Sequence, residues 1–425
     1  MTLIGAGLLN AIAVVVRILS MVALNKILAI YVGPSGYALV GQFQSLVQML
    51  STFASGAVAT GVTKGTAEHF DDPEYQIRIW RTAGTVATIG AVGIGATLIV
   101  FNTAFARWLL ADPNLGIVFI ALALSLFPIV LNSLLLAILN GKKHIWLFVV
   151  INIAGSLIGL VTTGGLAVLF GLPGALIALS ANLAVVFPIS ALVCARQPWF
   201  RLSMLFGTID ARVLRDLLKF TAMALTASAV TPFVQILIRD HLIADFGAES
   251  AGYWEALMRI SNLYLMVVTV PLSVYYLPRI AEIRDTAELR SEISSGYAII
   301  LPVTIIGALA IFLLRDFITL SLFTPDFLPM RELFLWQMVG DVLKIAGWLL
   351  GYVLIARGMV VPYIVTEVTF GVSWYIMVLA LTEVNGLQGA QMAYAANYSA
   401  YAVVLGAYLW NRSKRSRASQ RANLS

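Results

Sequence analysis

The sequence predicts an all-α polytopic membrane protein of twelve transmembrane helices, in two six-helix lobes related by a pseudo-two-fold axis along the membrane normal. Three observations predict it. The 425 residues are 60% hydrophobic and only 11% charged, with a mean hydropathy of +0.91, a balance that soluble domains do not reach. Apolar runs of bilayer-spanning length follow one another along the whole chain. Short motifs recur at an offset of 214–216 residues, about half the chain.

The first six runs are Ile4–Tyr31, Tyr37–Thr63, Trp80–Phe105, Leu115–Leu139, Ile145–Phe170 and Gly174–Cys194. The first has no basic leader or small-residue cleavage site and is too long for a signal peptide, so it is expected to stay as a helix. Six more follow: Leu217–Phe246, Gly252–Tyr276, Tyr297–Leu314, Leu333–Ala356, Val360–Leu381 and Ala390–Trp410. The repeats sit at corresponding turns. Gly33-Pro34-Ser35-Gly36-Tyr37 is echoed by Gly247 to Tyr253, Gly171-Leu172-Pro173-Gly174-Ala175 by Gly386-Leu387-Gln388-Gly389-Ala390, and Lys64 by Arg279. Six spans per repeat is even, so the repeats are parallel, and transporters built this way bind substrate between their halves. The expected division is an N-lobe at 1–194, a cytoplasmic linker at 195–216, a C-lobe at 217–411 and a basic tail at 412–425.

The basic residues orient the chain. With the N-terminus inside, 19 of the 27 Lys and Arg residues fall in inner segments and three, Arg107, Arg315 and Arg331, in outer ones. By the positive-inside rule both termini are cytoplasmic. The tail, Arg-Ser-Lys-Arg-Ser-Arg and onward, reads as an anchor on anionic lipid, at about 1 kcal/mol per basic residue near the surface. The net charge of +6 is scattered through loops and tail, which argues against nucleic acid as a partner.

Nine ionisable residues lie within spans: Arg17, Lys26, Arg239, Asp240, Glu255, Arg259, Asp341, Lys344 and Glu367. Facing lipid at roughly 3 kcal/mol each, they would cost more than about 20 kcal/mol, above the usual net stability of a fold. They must face a wet interior, pair, or snorkel. The stretch Arg331–Arg357 carries the sharpest case: Gln337, Asp341, Lys344 and Trp348 fall on one helical face, mid-span. Either they line a polar interior or Asp341 and Lys344 are a structural pair. Arg17 shares a face with Asn10 and Ser20, and Arg239 with Gln235 and Thr231, which favours the lumen for both. Lys26 stands near an outer end, where snorkelling is expected. Glu255 and Arg259 have the i, i+4 spacing of a helical ion pair. Glu367 has no charged neighbour within a turn and is a candidate for proton exchange. Gln44, Gln48, Ser51 and Ser55 on span two, and Asn152, Ser156 and Thr163 on span five, form uncharged polar stripes, read either as cavity lining or as interhelical hydrogen bonds.

Enzyme readings are weak. There is no phosphate-binding Gly-rich loop ending in Lys-Ser/Thr, no His, Asp or Glu cluster with metal spacing, and one cysteine, Cys194, which excludes an internal disulfide. No cofactor and no catalytic residue is expected.

The chain resembles the Wzx-type lipid-linked oligosaccharide flippases of O-antigen and enterobacterial common antigen assembly. They form part of the polysaccharide transport branch of the multidrug/oligosaccharidyl-lipid/polysaccharide exporter superfamily. Lys219-Phe220-Thr221-Ala222-Met223-Ala224-Leu225, Ser273-Val274-Tyr275-Tyr276-Leu277-Pro278, Leu314-Arg315-Asp316-Phe317 and the run Met330 to Ala356 carry the resemblance. Gly33-Pro34-Ser35-Gly36 and Gly61-Val62-Thr63-Lys64 add to it. It is similar above all to the type that moves lipid III. The resemblance implies an inner-membrane antiporter that carries undecaprenyl-diphosphate-linked oligosaccharide to the periplasmic leaflet by alternating access. A diphosphate in a desolvated cavity needs cations, expected here from Arg17, Arg239, Arg259 and Lys344. Gln44, Gln48 and Gln337 would line the cavity. Ion or proton coupling would fall to Asp341 and Glu367, and the pathway's polymerase and chain-length regulator would be partners. Two other classes stay open, a small-molecule exporter of the multidrug branch and a non-transporting assembly factor.

Overall fold

The computed structural model describes residues 3–56, 59–283 and 285–422, and the side chains of all of these but 3–11, 218–221, 274, 286 and 413–422. The side chains of Asn10, Lys219 and Arg284 and the basic groups of the tail from Lys414 on therefore lie outside the described residues. Among the described residues there is no strand. The helices are α1 (Leu3–Ser55), α2 (Ala59–Glu68), α3 (Pro73–Val100), α4 (Asn102–Leu110), α5 (Gly116–Gly141) and α6 (Ile145–Ala195). Then come α7 (Ala211–Pro271), α8 (Leu277–Glu282), α9 (Thr286–Leu313), α10 (Arg315–Leu322), α11 (Phe334–Ala356), α12 (Val360–Asn385) and α13 (Gln388–Ala422).

Three of these are too long to be single spans. α1, α6 and α7 have 53, 51 and 61 residues, which at 1.5 Å per residue is about 75–90 Å, against a hydrocarbon layer of roughly 30 Å. Each is broken by a glycine outside helical geometry: Gly33 (φ 69°, ψ 178°), Gly171 (φ 60°, ψ −137°) and Gly247 (φ 84°, ψ 160°). Only glycine adopts such angles without steric cost. In α6 the break is a hairpin, since Gly155 lies against Val186 and Gly159 against Asn182. Among the described residues, eight helices are long and apolar enough to cross a membrane. Counting both arms of the broken ones makes eleven, and α13, richer in Tyr, Asn and Gln, completes twelve crossings.

The turns match between halves. Gly386 (φ 59°, ψ −149°) repeats the backbone of Gly171 at an offset of 215. Lys143 (φ 61°) and Gly358 (φ 60°) do the same at the ends of α5 and α11. α3 and α9 begin earlier than their apolar runs, at Pro73 rather than Trp80 and at Thr286 rather than Tyr297. Aspartates explain both starts: Asp72 accepts from the Tyr75 amide, and Asp285 from those of Ala287 and Glu288.

The chain forms two compact units, one of Met1–Ile236 with Leu322–Thr324, the other of Leu237–Ser321 with Pro325–Ser425. The first takes in the start of α7, where the buried Gln42 amide donates to the Ile236 carbonyl at 3.3 Å. Its central helix is α5, joined to α6 by Ser190 donating to Asn132 at 2.5 Å and to α2 by Thr63 donating to the Ala137 carbonyl at 3.2 Å. At its C-terminal end the Lys142 ammonium lies 5.3–5.8 Å from the rings of Phe70, Trp80 and Trp199. Burial there pulls the Lys142 pKa below its ordinary value. Lys26, expected to snorkel, instead donates to the carbonyl of Phe323, whose ring meets Tyr37 edge-on at 5.6 Å. In the second unit α11 takes the central place, and the candidate site is built on it.

Candidate functional site

Asp341 sits mid-way along α11 and is fully buried. Its carboxylate accepts hydrogen bonds from three helices. Ser261 Oγ, from α7, lies 2.5 Å from both oxygens; Tyr264 OH, also from α7, reaches Oδ2 at 2.9 Å. Tyr394 OH from α13 donates to Oδ1 at 2.9 Å, and Gln337 Nε2, one turn earlier on α11, at 3.1 Å. Gly340 makes room for the tyrosine, because a Cβ there would stand 2.2 Å from Tyr394 Cδ1. Hydrogen bonds to a charged acceptor are the strong ones, so this carboxylate fastens α7 and α13 to α11.

Lys344 follows one turn on. Its ammonium lies 4.9 Å from the Trp348 ring centre and 5.7 Å from those of Tyr394 and Tyr398. A desolvated cation over aromatic faces gains about 2 kcal/mol. It also feels the charges of Asp341 and of Glu367 on α12. Glu367 acts in turn on the phenols of Tyr363, Tyr398 and Tyr401. The structure thus brings Gln337, Asp341, Lys344 and Glu367 into one electrostatic cluster.

A second group forms around Glu255. Arg259 Nε lies 2.8 Å from its carboxylate, as the i, i+4 spacing predicts, and Arg239 Nε 3.4 Å. The Arg239 guanidinium stands over Trp254 at 5.7 Å and is 1% exposed. Two cations therefore share one carboxylate, and Asp240 points away and is exposed.

The other sequence-predicted residues differ in their surroundings. Arg239, Gln337 and Lys344 were expected against a wet interior, yet each is buried, at 1%, 0% and 8% exposure. Each has polar or aromatic company: Glu255 and Trp254 beside Arg239, Asp341 and Ser261 beside the Gln337 amide N–H, and the rings of Trp348, Tyr394 and Tyr398 around Lys344. Asn152 and Ser156, read as lining or interhelical groups, donate to carbonyls of their own helix. Arg17, Gln44 and Gln48, in the first unit, are exposed. The sequence reading missed Ser261, Tyr264, Tyr394 and Tyr398. The signal for two of them was present, since Gln391, Tyr394, Tyr398 and Tyr401 recur at three- and four-residue steps.

The fold itself does not require this polarity. α5 corresponds to α11 at the offset of 215, and the counterparts of Asp341 and Lys344 are Leu126 and Ile129, 0% and 4% exposed. One half fills the position with apolar side chains, the other with a carboxylate, its hydrogen-bond donors and a cation one turn on.

Residues 3–284 match the family model described as polysaccharide biosynthesis protein. The chain belongs to that family. This polysaccharide biosynthesis protein is 30% identical to the lipid III flippase of Escherichia coli (strain K12) over 414 residues, 97% of this chain and 100% of that one. The lipid III flippase of Shigella flexneri matches to the same extent. Among solved structures it is similar to a multidrug resistance MATE family transporter of the MOP superfamily in an inward-facing conformation. That match has a TM-score of 0.80 at 16% identity, covering 96% of this chain and 99% of that one. A MOP superfamily transporter from Pyrococcus furiosus gives 0.67 at 16% identity, with 95% of each chain covered. The polysaccharide biosynthesis protein is therefore a multi-pass membrane protein with a transporter fold, twelve helices in two sets of six, and not an enzyme. What its site offers is charge that can be bound, screened or neutralised within the membrane, with no trio of His, Cys, Asp or Glu placed for a metal among the described residues.

Proposed function

We propose that this protein is a flippase that moves an undecaprenyl-diphosphate-linked oligosaccharide, of the lipid III or O-antigen kind, from the cytoplasmic to the periplasmic leaflet. Support comes from the full-length likeness to two lipid III flippases and from the charge held at α11, where the matching helix of the other half is apolar. That asymmetry is the observation that carries the reading: a group that costs energy to bury, and that the fold does without elsewhere, is kept for work.

The protein sits in the inner membrane with both termini cytoplasmic. Its lobes are residues 1–194 and 217–411, joined by the segment 195–216 and followed by the basic tail. Arg17, exposed within a span, meets the diphosphate first. Arg239, Arg259 and Lys344 complete the cationic path when the second unit loosens. Asp341 and Glu367 take up the coupling proton. Protonation turns the Asp341 carboxylate into a donor, so that one of the Ser261, Tyr264 or Tyr394 hydroxyls swings its O–H aside and accepts instead, the charge-assisted bonds become neutral ones, and the tie between α7, α11 and α13 slackens. The pathway's polymerase and chain-length regulator are the protein partners.

Complementation tests this. In cells lacking their own lipid-linked oligosaccharide flippase, the wild-type chain should restore surface glycan, while Arg17→Ala, inserted at normal levels, accumulates the inner-leaflet intermediate. If the wild type restores no glycan in any of several acceptor strains, a small-molecule exporter takes its place.

A further inference from the structure

Beside Asp341, buried polar atoms are left over. Both amide atoms of Gln391, Oε1 of Gln337 and Nε1 of Trp374 have no hydrogen-bond partner among the described residues. Gln337 and Gln391 are 0% exposed and Trp374 is 4% exposed. The three side chains belong together. Gly340 lies against Tyr394 and Gly347 against Tyr401, so α11 and α13 run side by side at an offset of 54, which sets Gln337 level with Gln391. The Trp374 ring, from α12, lies 5.6 Å from that of Tyr394, one turn below Gln391.

Bare polar atoms are expensive inside a protein. Water resolves such a place when it finds two to four polar partners. Here the indole N–H and one amide N–H can donate, and two amide oxygens can accept. We propose that Gln337, Gln391 and Trp374 enclose an internal hydration site, the last station on a proton route to Asp341. The surroundings make such a station necessary. The groups that face Asp341 are Ser261 and Tyr264 from α7, Gln337 and Lys344 from α11, Glu367 from α12 by way of Lys344, and Tyr394 and Tyr398 from α13. From α9, Tyr297 is committed to the Ala346 carbonyl. The four donors are neutral and are spent on the carboxylate, and a proton passed on by Lys344 would have to be replaced in turn, so a proton gained by this cluster from outside comes by way of water. The transfer is balanced: a hydrated proton gives H⁺ to a carboxylate oxygen, an O–H bond forms there, and the water left behind is reprotonated from the aqueous side. Gln337 and Gln391 stand between Asp341 and the start of α11 and α13, the end that faces outward when both termini are inside. The route therefore opens to the periplasmic side. Its use in transport rests on the flippase reading; the hydration site itself does not.

X-ray hydroxyl-radical footprinting of the purified full chain in nanodiscs reads the site, because radicals formed from bound water mark the side chains beside it. Trp374 and Tyr394 should be oxidised despite their burial. Trp80, 1% exposed with its indole N–H given to Thr66 at 2.9 Å, is the dry control. Gln391→Leu should abolish the Trp374 mark and slow proton-driven glycolipid translocation in proteoliposomes by about tenfold, while Gln391→Asn keeps most of both. Marking of Trp374 no stronger than Trp80 overturns the site. Translocation by Gln391→Leu at the wild-type rate overturns the route. If wild type moves no glycolipid but Trp374 is still marked, the flippase reading fails and the hydration site stands.

Discussion

Replacing Asp341 by Asn keeps the shape of the side chain and removes its charge. Four donor groups converge on the carboxylate, at 2.5 to 3.1 Å. An amide offers one oxygen, so Tyr264 on one side, or Tyr394 and Gln337 on the other, would face an NH2 group. Bonds to a charged acceptor contribute about 1.5–3 kcal/mol each against about 1 for neutral ones, and a stranded donor costs about 1–3 kcal/mol. Lys344 would also lose one of the two carboxylates whose charge it feels, and a buried cation short of counter-charge adds to the loss, at most by the cost of breaking a buried pair, about 3–5 kcal/mol. Because these terms overlap, the expected loss is about 4 kcal/mol, or about 4–5 °C in melting temperature for a chain of this size. The assay is thermal unfolding in detergent followed by near-ultraviolet circular dichroism. Asp341→Asn combined with Lys344→Met should recover about half of the loss, since the stranded cation is gone. A melting temperature within about 1 °C of wild type for the single variant, or a double variant worse than either single, would refute the reasoning.

The Glu255 group and the matched turns give two further expectations. Glu255→Gln removes the carboxylate that Arg239 and Arg259 share and should cost about 3 kcal/mol, whereas Arg259→Gln leaves the Arg239–Glu255 pair and should cost about 1; equal melting temperatures would count against the shared carboxylate. Lys143→Gly relieves a left-handed conformation that costs a side chain about 1 kcal/mol. It should raise the melting temperature slightly despite losing the contact of Lys143 with Phe70, and Gly358→Ala should lower it by a similar amount.

Much of the framework could be read directly. Turns at Gly33, Gly171 and Gly247 were visible because glycine is what a break between helices demands, and apolar runs announce spans wherever lipid is the solvent. Asp341 and Lys344 stood out for the opposite reason, as charges where charge is costly. Their environment was not readable. A hydroxyl such as Ser261 or Tyr264 is unremarkable in an apolar helix until the packing shows that it points at a carboxylate 80 residues away. Arg239 looked like lumen because its stripe is polar; only the register of the two arms of α7 shows that Glu255 meets it. Helical periodicity gives a face, and it takes the neighbouring helix to say what that face touches.

The matched turns say something about origin. Gly33 with Gly247, Lys143 with Gly358, and Gly171 with Gly386 keep the same unusual backbone angles at an offset of 214–215, long after most side chains between them have diverged. Angles of this kind persist through descent, and they record a gene that was duplicated and fused. The ancestral product crossed the membrane six times, so both of its ends lay on one side. Two copies could already be inserted in the same sense and needed only a connector on that side to become one chain. Fusion then lifted the requirement that both copies stay alike. One kept leucine and isoleucine at its centre; the other was free to acquire an aspartate and a lysine, and with them a cycle.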